Sequence, residues 1–167
     1  MPDLPPIEPY VAAPHVIEHC IAKASKARGI PEPVLYALYQ IEGGKVHSQN
    51  LNDNGSFDMG PFQINTINLE LVRNEFGDVS RSEIAGDVCL NAEAAAFLVA
   101  RHLERRKGYL YAAIGDYHSK TPEVRVLYQR KFLEVYPKLL FELANQEKAV
   151  NYANYGFSGY LQPVAAR

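Results

Sequence analysis

Residues Asn52 to Asn65 read N-D-N-G-S-F-D-M-G-P-F-Q-I-N, and this stretch decides the fold because it breaks a chain that is otherwise helical in its periodicity. Asn54-Gly55 is a strong hairpin-turn signal, so residues 45–60 are expected to form a small β-hairpin or irregular loop. Upstream, Val16, Ile17, Cys20, Ile21, Ala24 and Ala27 recur at helical spacing, which predicts a helix over 13–28 that stops at Gly29. A second helix starts near Pro31, buries Val34, Leu35, Leu38 and Ile41, and ends at Gly43-Gly44 with Glu42 in its last turn.

Downstream, short helices are expected over 66–76, with Ile67, Leu71 and Val72 inward, and around 80–85. A long helix over 87–107 has Asp87 as its N-cap. A short helix comes next over 109–117, then a loop over 118–121. A last helix runs from Pro122 to about 140, its apolar stripe including Val126, Leu127, Phe132 and Leu139. The fold class is all-α with a small β-hairpin element. Residues 1–14 read as an extended Pro-rich leader, 15–143 as one domain, and 144–167 as an Asn/Tyr-rich tail that wraps the body or stays flexible.

At 167 residues the chain is long enough for a full core without metal or disulfide staples. With 17 basic and 19 acidic residues it carries no electrostatic footprint for nucleic acid. No apolar run reaches the ~20 residues of a membrane span. No basic region followed by an apolar core marks a signal peptide. Cys20 and Cys89 permit one disulfide or two buried thiols.

Two carboxylates in unlike surroundings are what glycosidic bond cleavage requires. Glu42 comes after Tyr36, Ala37, Leu38, Tyr39 and Ile41, neighbours that disfavour its charge and keep a proton on it for donation. Asp58 sits among turn residues, where backbone N–H groups and asparagine amides stabilise an anion; an ordinary Asx turn is the competing reading. Gly60 allows close backbone approach to a substrate, or simply a turn. Gln63 and Asn65 offer amides to sugar hydroxyls, or serve as helix caps. Tyr117 is placed to hydrogen-bond the acid. His118 shows no metal-ligand spacing with the other histidines, and no Gly-x-Ser-x-Gly elbow is present.

Taken together and in order, Glu42, the Gly60-Pro61-Phe62-Gln63-Ile64-Asn65 block, Tyr117-His118-Ser119 and Tyr128 resemble the lysozyme-like lytic transglycosylases of the soluble-transglycosylase type. The Tyr-His-Ser-x-Thr-Pro string at 117–122 and the cysteine pair look most like the specialised enzymes of conjugation, type IV pilus and secretion systems. The resemblance implies a lysozyme-like fold and cleavage of the bond between N-acetylmuramic acid and N-acetylglucosamine with a 1,6-anhydro product. It implies Glu42 as catalytic acid, and Gly60, Gln63, Asn65, Tyr117, His118, Ser119 and Tyr128 as substrate-binding residues. It further implies a Cys20–Cys89 disulfide, no cofactor, and a periplasmic monomer whose leader is not part of this chain. Partners would be glycan strands and components of such a machine. Gly43 departs from the serine usual after the acid. The hairpin is also similar to that of animal c-type lysozymes, in which the aspartate at the place of Asp58 is a second catalytic carboxylate, so hydrolysis stays open beside a non-catalytic wall-binding module.

Overall fold

The computed structural model describes residues 7–145. Helix α1 (Pro14–Arg28) opens at a proline and closes on Gly29, whose N–H bonds the Ser25 carbonyl. Helix α2 (Glu32–Glu42) is next. Its Val34, Leu35 and Leu38 are fully buried, as the apolar spacing predicts, and so is Ala37, whereas Ile41 in the last turn is half-buried. Ala27, by contrast, is exposed on the outer side of α1.

The Asn-rich excursion is a three-stranded antiparallel sheet rather than a lone hairpin. It comprises β1 (Gln49–Leu51), β2 (Phe57–Met59) and β3 (Ile64–Asn65), in that spatial order. Asp58 lies in the central strand, opposite Asn50 on one side and Asn65 on the other. The helix expected over 66–76 is a 3-10 turn at Thr66–Asn68 leading into α3 (Leu69–Phe76). The Asn65 side chain accepts the Ile67 N–H and tightens that turn, which shifts the phase of its side chains relative to those of α3. Ile67 is therefore turned outward, 72% exposed, against the sequence expectation.

Helix α4 (Arg81–Gly86) starts with a reciprocal capping box between Ser80 and Glu83. Helix α5 (Val88–Arg105) is capped by Asp87, which accepts the Leu90 N–H, as expected. Its alanine-rich face is buried, and α1, α2, α4 and α6 pack on it. The structure bonds Cys20 of α1 to Cys89 of α5. At the C-terminal end of α1, Arg28 is ion-paired with Glu75 and with Glu93, and its guanidinium lies over the rings of Phe76 at 4.9 Å and Phe97 at 5.4 Å. One side chain thus joins α1, α3 and α5.

Helix α6 (Leu110–His118) runs one residue further than expected, so His118 ends a helix instead of starting a loop. Helix α7 (Pro122–Asn145) continues past Pro137, longer than the sequence reading. It packs on α2 and α6 through Tyr128, Phe132, Leu139 and Leu143. Val126 and Leu127 lie off that i, i+4, i+11, i+15 face and are 44% and 58% exposed, which corrects their place in the predicted stripe. Residues 7–13 are extended, and Tyr10 makes an antiparallel bridge to Val46. The tail expectation falls, from residue 146 onward, outside the described residues.

Candidate active site

The end of α2, the sheet, and the end of α6 meet around a groove of about 420 Å³. Glu42, Asp58, Asn65, Tyr117, His118 and Ser119 line it. Glu42 is the last residue of α2 because Gly43 takes a left-handed conformation (φ 58°) and its N–H closes on the Tyr39 carbonyl. A glycine adopts that turn without strain, which is the local reason for a residue other than serine at this position.

The Glu42 side chain is only 11% exposed. Its Oε1 accepts the Tyr128 hydroxyl at 2.5 Å, from the first half of α7. Burial pushes its carboxyl from the usual 4.5 to about 7. The Tyr128 hydrogen bond works against that rise, the negative charge of Asp58 adds to it, and Lys131 opposes it. Burial, with Glu42 and Tyr117 nearby, holds the Tyr128 phenol far above its ordinary value, so it stays a donor. The carboxyl can therefore both hold and release a proton near neutrality.

His118 stacks flat on Tyr128, ring centroids 4.3 Å apart, and its Nδ1 lies 3.9 Å from Glu42 Oε1. That is a contact beyond hydrogen-bond length. Burial lowers the His118 pKa, Asp58 partly restores it and Lys131 lowers it further. The imidazole is a neutral, half-covered ring against the acid.

Asp58 faces the same groove from the sheet. Its Oδ2 accepts the Asn52 amide at 2.9 Å and its Oδ1 accepts the Asn65 amide at 2.7 Å. Register explains this: Asn65 is its cross-strand partner on β3. Both carboxylate oxygens are thus oriented by neutral amides.

Other expected residues are placed differently. Tyr117 donates to the Phe62 carbonyl at 2.9 Å, so the hydrogen bond to the acid comes from Tyr128 alone of the two tyrosines. Gly60 and Gln63 do not line the groove. Gly60 is pressed against Asn91, where an added Cβ would sit 2.5 Å from the Asn91 amide nitrogen. The Gln63 amide donates to the Gly60 carbonyl at 2.7 Å and accepts from Asn50 at 2.8 Å. Gln63 thus stiffens the sheet from behind. Ser119 Oγ accepts the Thr121 N–H at 3.1 Å at the groove edge.

Asn52 orients Asp58, as expected of an asparagine amide in this stretch, whereas the sequence reading did not single out Asn91. Asn91, fully buried on α5, accepts the Phe62 N–H at 2.8 Å and donates to the Met59 and Ile84 carbonyls, each at 2.9 Å. Asn91 carried a readable signal: a polar residue on the apolar face of an alanine-rich helix. Among the described residues, no group of three His, Cys, Asp or Glu side chains could hold a metal ion. No described helix is long and apolar enough to cross a membrane.

The chain is 29% identical over 133 residues to Protein IpgF of Shigella flexneri and, to the same extent, to Protein IpgF of Shigella sonnei; the alignment covers 79% of this chain and 86% of each relative. Residues 19–130, which hold both carboxylates, the sheet and Tyr128, match the model of the transglycosylase SLT domain. The chain belongs to the transglycosylase SLT domain family and is a lytic transglycosylase that acts on peptidoglycan.

Proposed function

We propose that this chain cuts the β-1,4 bond between N-acetylmuramic acid and N-acetylglucosamine with Glu42 as the single acid and base, leaving a 1,6-anhydromuramyl end. The observation that carries the proposal is the buried Glu42 carboxyl, raised to about 7 and gripped by the Tyr128 hydroxyl in a polar groove. Protonated Glu42 gives its proton to the glycosidic oxygen as the bond breaks. Positive charge builds at the muramyl C1 and is balanced by the sugar's own acetamido group or by Asp58. Ionised Glu42 then takes the proton of the C6 hydroxyl, whose oxygen closes on C1. The leaving oxygen has gained one proton, Glu42 has recovered one, and no water is consumed.

Asp58 motivates a second reading, hydrolysis, because it lines the same groove and both its oxygens are fixed by asparagines. In that case water replaces the C6 hydroxyl. Mass analysis of digested sacculi separates the two, since hydrated ends are heavier than anhydro ends by one water. Anhydro ends are expected, and exclusively hydrated ends would refute the anhydro proposal while leaving the role of Glu42 standing. Glu42→Gln is expected to lower turnover by about a thousandfold with the fold retained.

The setting proposed is local opening of the cell wall in the periplasm during assembly of a secretion, conjugation or pilus apparatus. It is supported by the Tyr117-His118-Ser119 string continued by Thr121-Pro122, and by the Cys20–Cys89 bond, features similar to those of the specialised enzymes. Loss of apparatus assembly on deletion, restored by the wild-type chain and not by Glu42→Gln, is the expected result.

A further inference from the structure

Beside the groove lies a second recess of about 290 Å³, lined by His102, Arg105, Arg106, Asp116, Lys120 and Arg125. The end of α5, the last turn of α6, the 119–121 loop and the first turn of α7 build it. Three of its lining residues, His102, Asp116 and Lys120, also line the groove, so the two spaces adjoin.

Its charge is unbalanced. Four of its six lining residues are Lys or Arg, in a chain whose net charge is −2, and Asp116 is its single carboxylate. That carboxylate is already engaged. It accepts Arg106 Nε at 2.5 Å and Arg106 Nη2 at 2.9 Å, and it lies 3.1 Å from Arg125 Nε. The Arg125 contact is an ion pair without hydrogen-bond alignment, which leaves a buried Nε–H with its hydrogen bond unmade. Arg105 and Lys120 are exposed, and among the described residues neither forms a salt bridge. A structural ion triad accounts for Arg106, Asp116 and Arg125. It does not account for two further cations converging on the same hollow.

We propose that this recess is a carboxylate-binding subsite, and that it takes the peptide stem borne by a muramic acid of the strand lying in the groove. The inference rests on the peptidoglycan reading of that groove. Stem peptides are anionic and branch from the sugar chain, so a cationic hollow flanking the glycan path matches both their charge and their position. Arg105 and Lys120 supply the free charge, and the Arg106–Asp116–Arg125 triad fixes the wall. The enzyme would then discriminate strands by their stems and act best where the peptides are intact and their carboxylates free.

The test uses the full Glu42→Gln chain, so that binding is read without cleavage. Two soluble disaccharide-tetrapeptide fragments are compared by calorimetric titration, one with free stem carboxylates and one with those carboxylates amidated by carbodiimide and ammonium. The free form is expected to bind about tenfold more tightly. Arg105→Glu with Lys120→Glu, both at exposed positions, should erase that ratio, and the neutral pair Arg105→Gln with Lys120→Gln should give an intermediate value. Equal affinity for the two fragments, including no binding of either, would overturn the subsite, as would a ratio that survives charge reversal. Failure of the groove assignment shows elsewhere, as absence of any soluble muropeptide, anhydro or hydrated, from whole sacculi digested with the wild-type enzyme.

Discussion

At the scale of single residues, the site is a contest over one proton. Burial drives Glu42 to about 7, and Tyr128 restrains it by donating to the anion. Tyr128→Phe removes the restraint, so the carboxyl pKa should climb further and the alkaline limb of the pH–rate profile should move up by about one pH unit. An unmoved limb would mean that Tyr128 only fills space. The same burial has a cost in stability. The folded chain keeps a proton on Glu42 between the ordinary 4.5 and about 7, whereas the unfolded chain has lost it. Stability from this group is whole below pH 4.5 and drains away as pH rises to 7, a loss of about 3 kcal/mol at about 1.4 kcal/mol per pH unit. Glu42→Gln should therefore be more stable than wild type by up to that amount at pH 8, and nearly equal to it at pH 4, when urea unfolding is compared at the two values. The sequence made Glu42 legible through the apolar and aromatic residues just before it. It could not show which tyrosine reaches the acid, because Tyr117 and Tyr128 are both near in the fold and only the packing of α7 on α2 decides between them.

At the scale of elements, the helices were readable and the sheet was only half so. Caps and apolar spacing gave α1, α2, α5 and α6 to within two residues at each end, since each signal is local. Strand β3 is two residues long and lacks any periodicity of its own; it exists because Asn65 and Ile64 pair with β2. The segment is tied to the helical body through Asn91, whose three hydrogen bonds reach β2, the 60–63 turn and the end of α4. Asn91→Ala leaves the Phe62 N–H and two carbonyls unpaired in the core, and should cost about 3–5 kcal/mol of unfolding free energy. A loss below about 1 kcal/mol, the worth of one ordinary hydrogen bond, would show that the segment holds its place by apolar packing alone. The misplacements have two origins: Ile67 sits in a 3-10 turn whose side chains are out of phase with those of α3, whereas Val126 and Leu127 lie off the face of α7 that α2 and α6 cover.

At the scale of the whole molecule, α1 and α5 form the most extensively packed pair of helices, and two side-chain links join them. Cys20–Cys89 closes a span of 69 residues that contains α2, the sheet, α3 and α4. Cys20→Ala with Cys89→Ala should lower the unfolding free energy by about 4 kcal/mol by loop entropy, and should leave kcat per folded molecule unchanged. A drop in kcat at full folding would mean that the bond also shapes the groove. At the C-terminal end of α1, Arg28 joins the same two helices to α3 through two carboxylates and two aromatic faces. The two walls of the groove are thus secured unequally. The acid stands at the end of a helix sunk in the apolar interior, whereas Asp58 rides on the central one of three short strands, held to the body by the buried Met59, Phe62 and Ile64 and by the Asn91 amide. Thermal motion is expected to act first at the outer loop of the sheet, where residues 53–55 are exposed, so a rigid polymer can be admitted by yielding of that lip while the proton donor stays still, like a vice in which one jaw slides and the other is bolted to the bench.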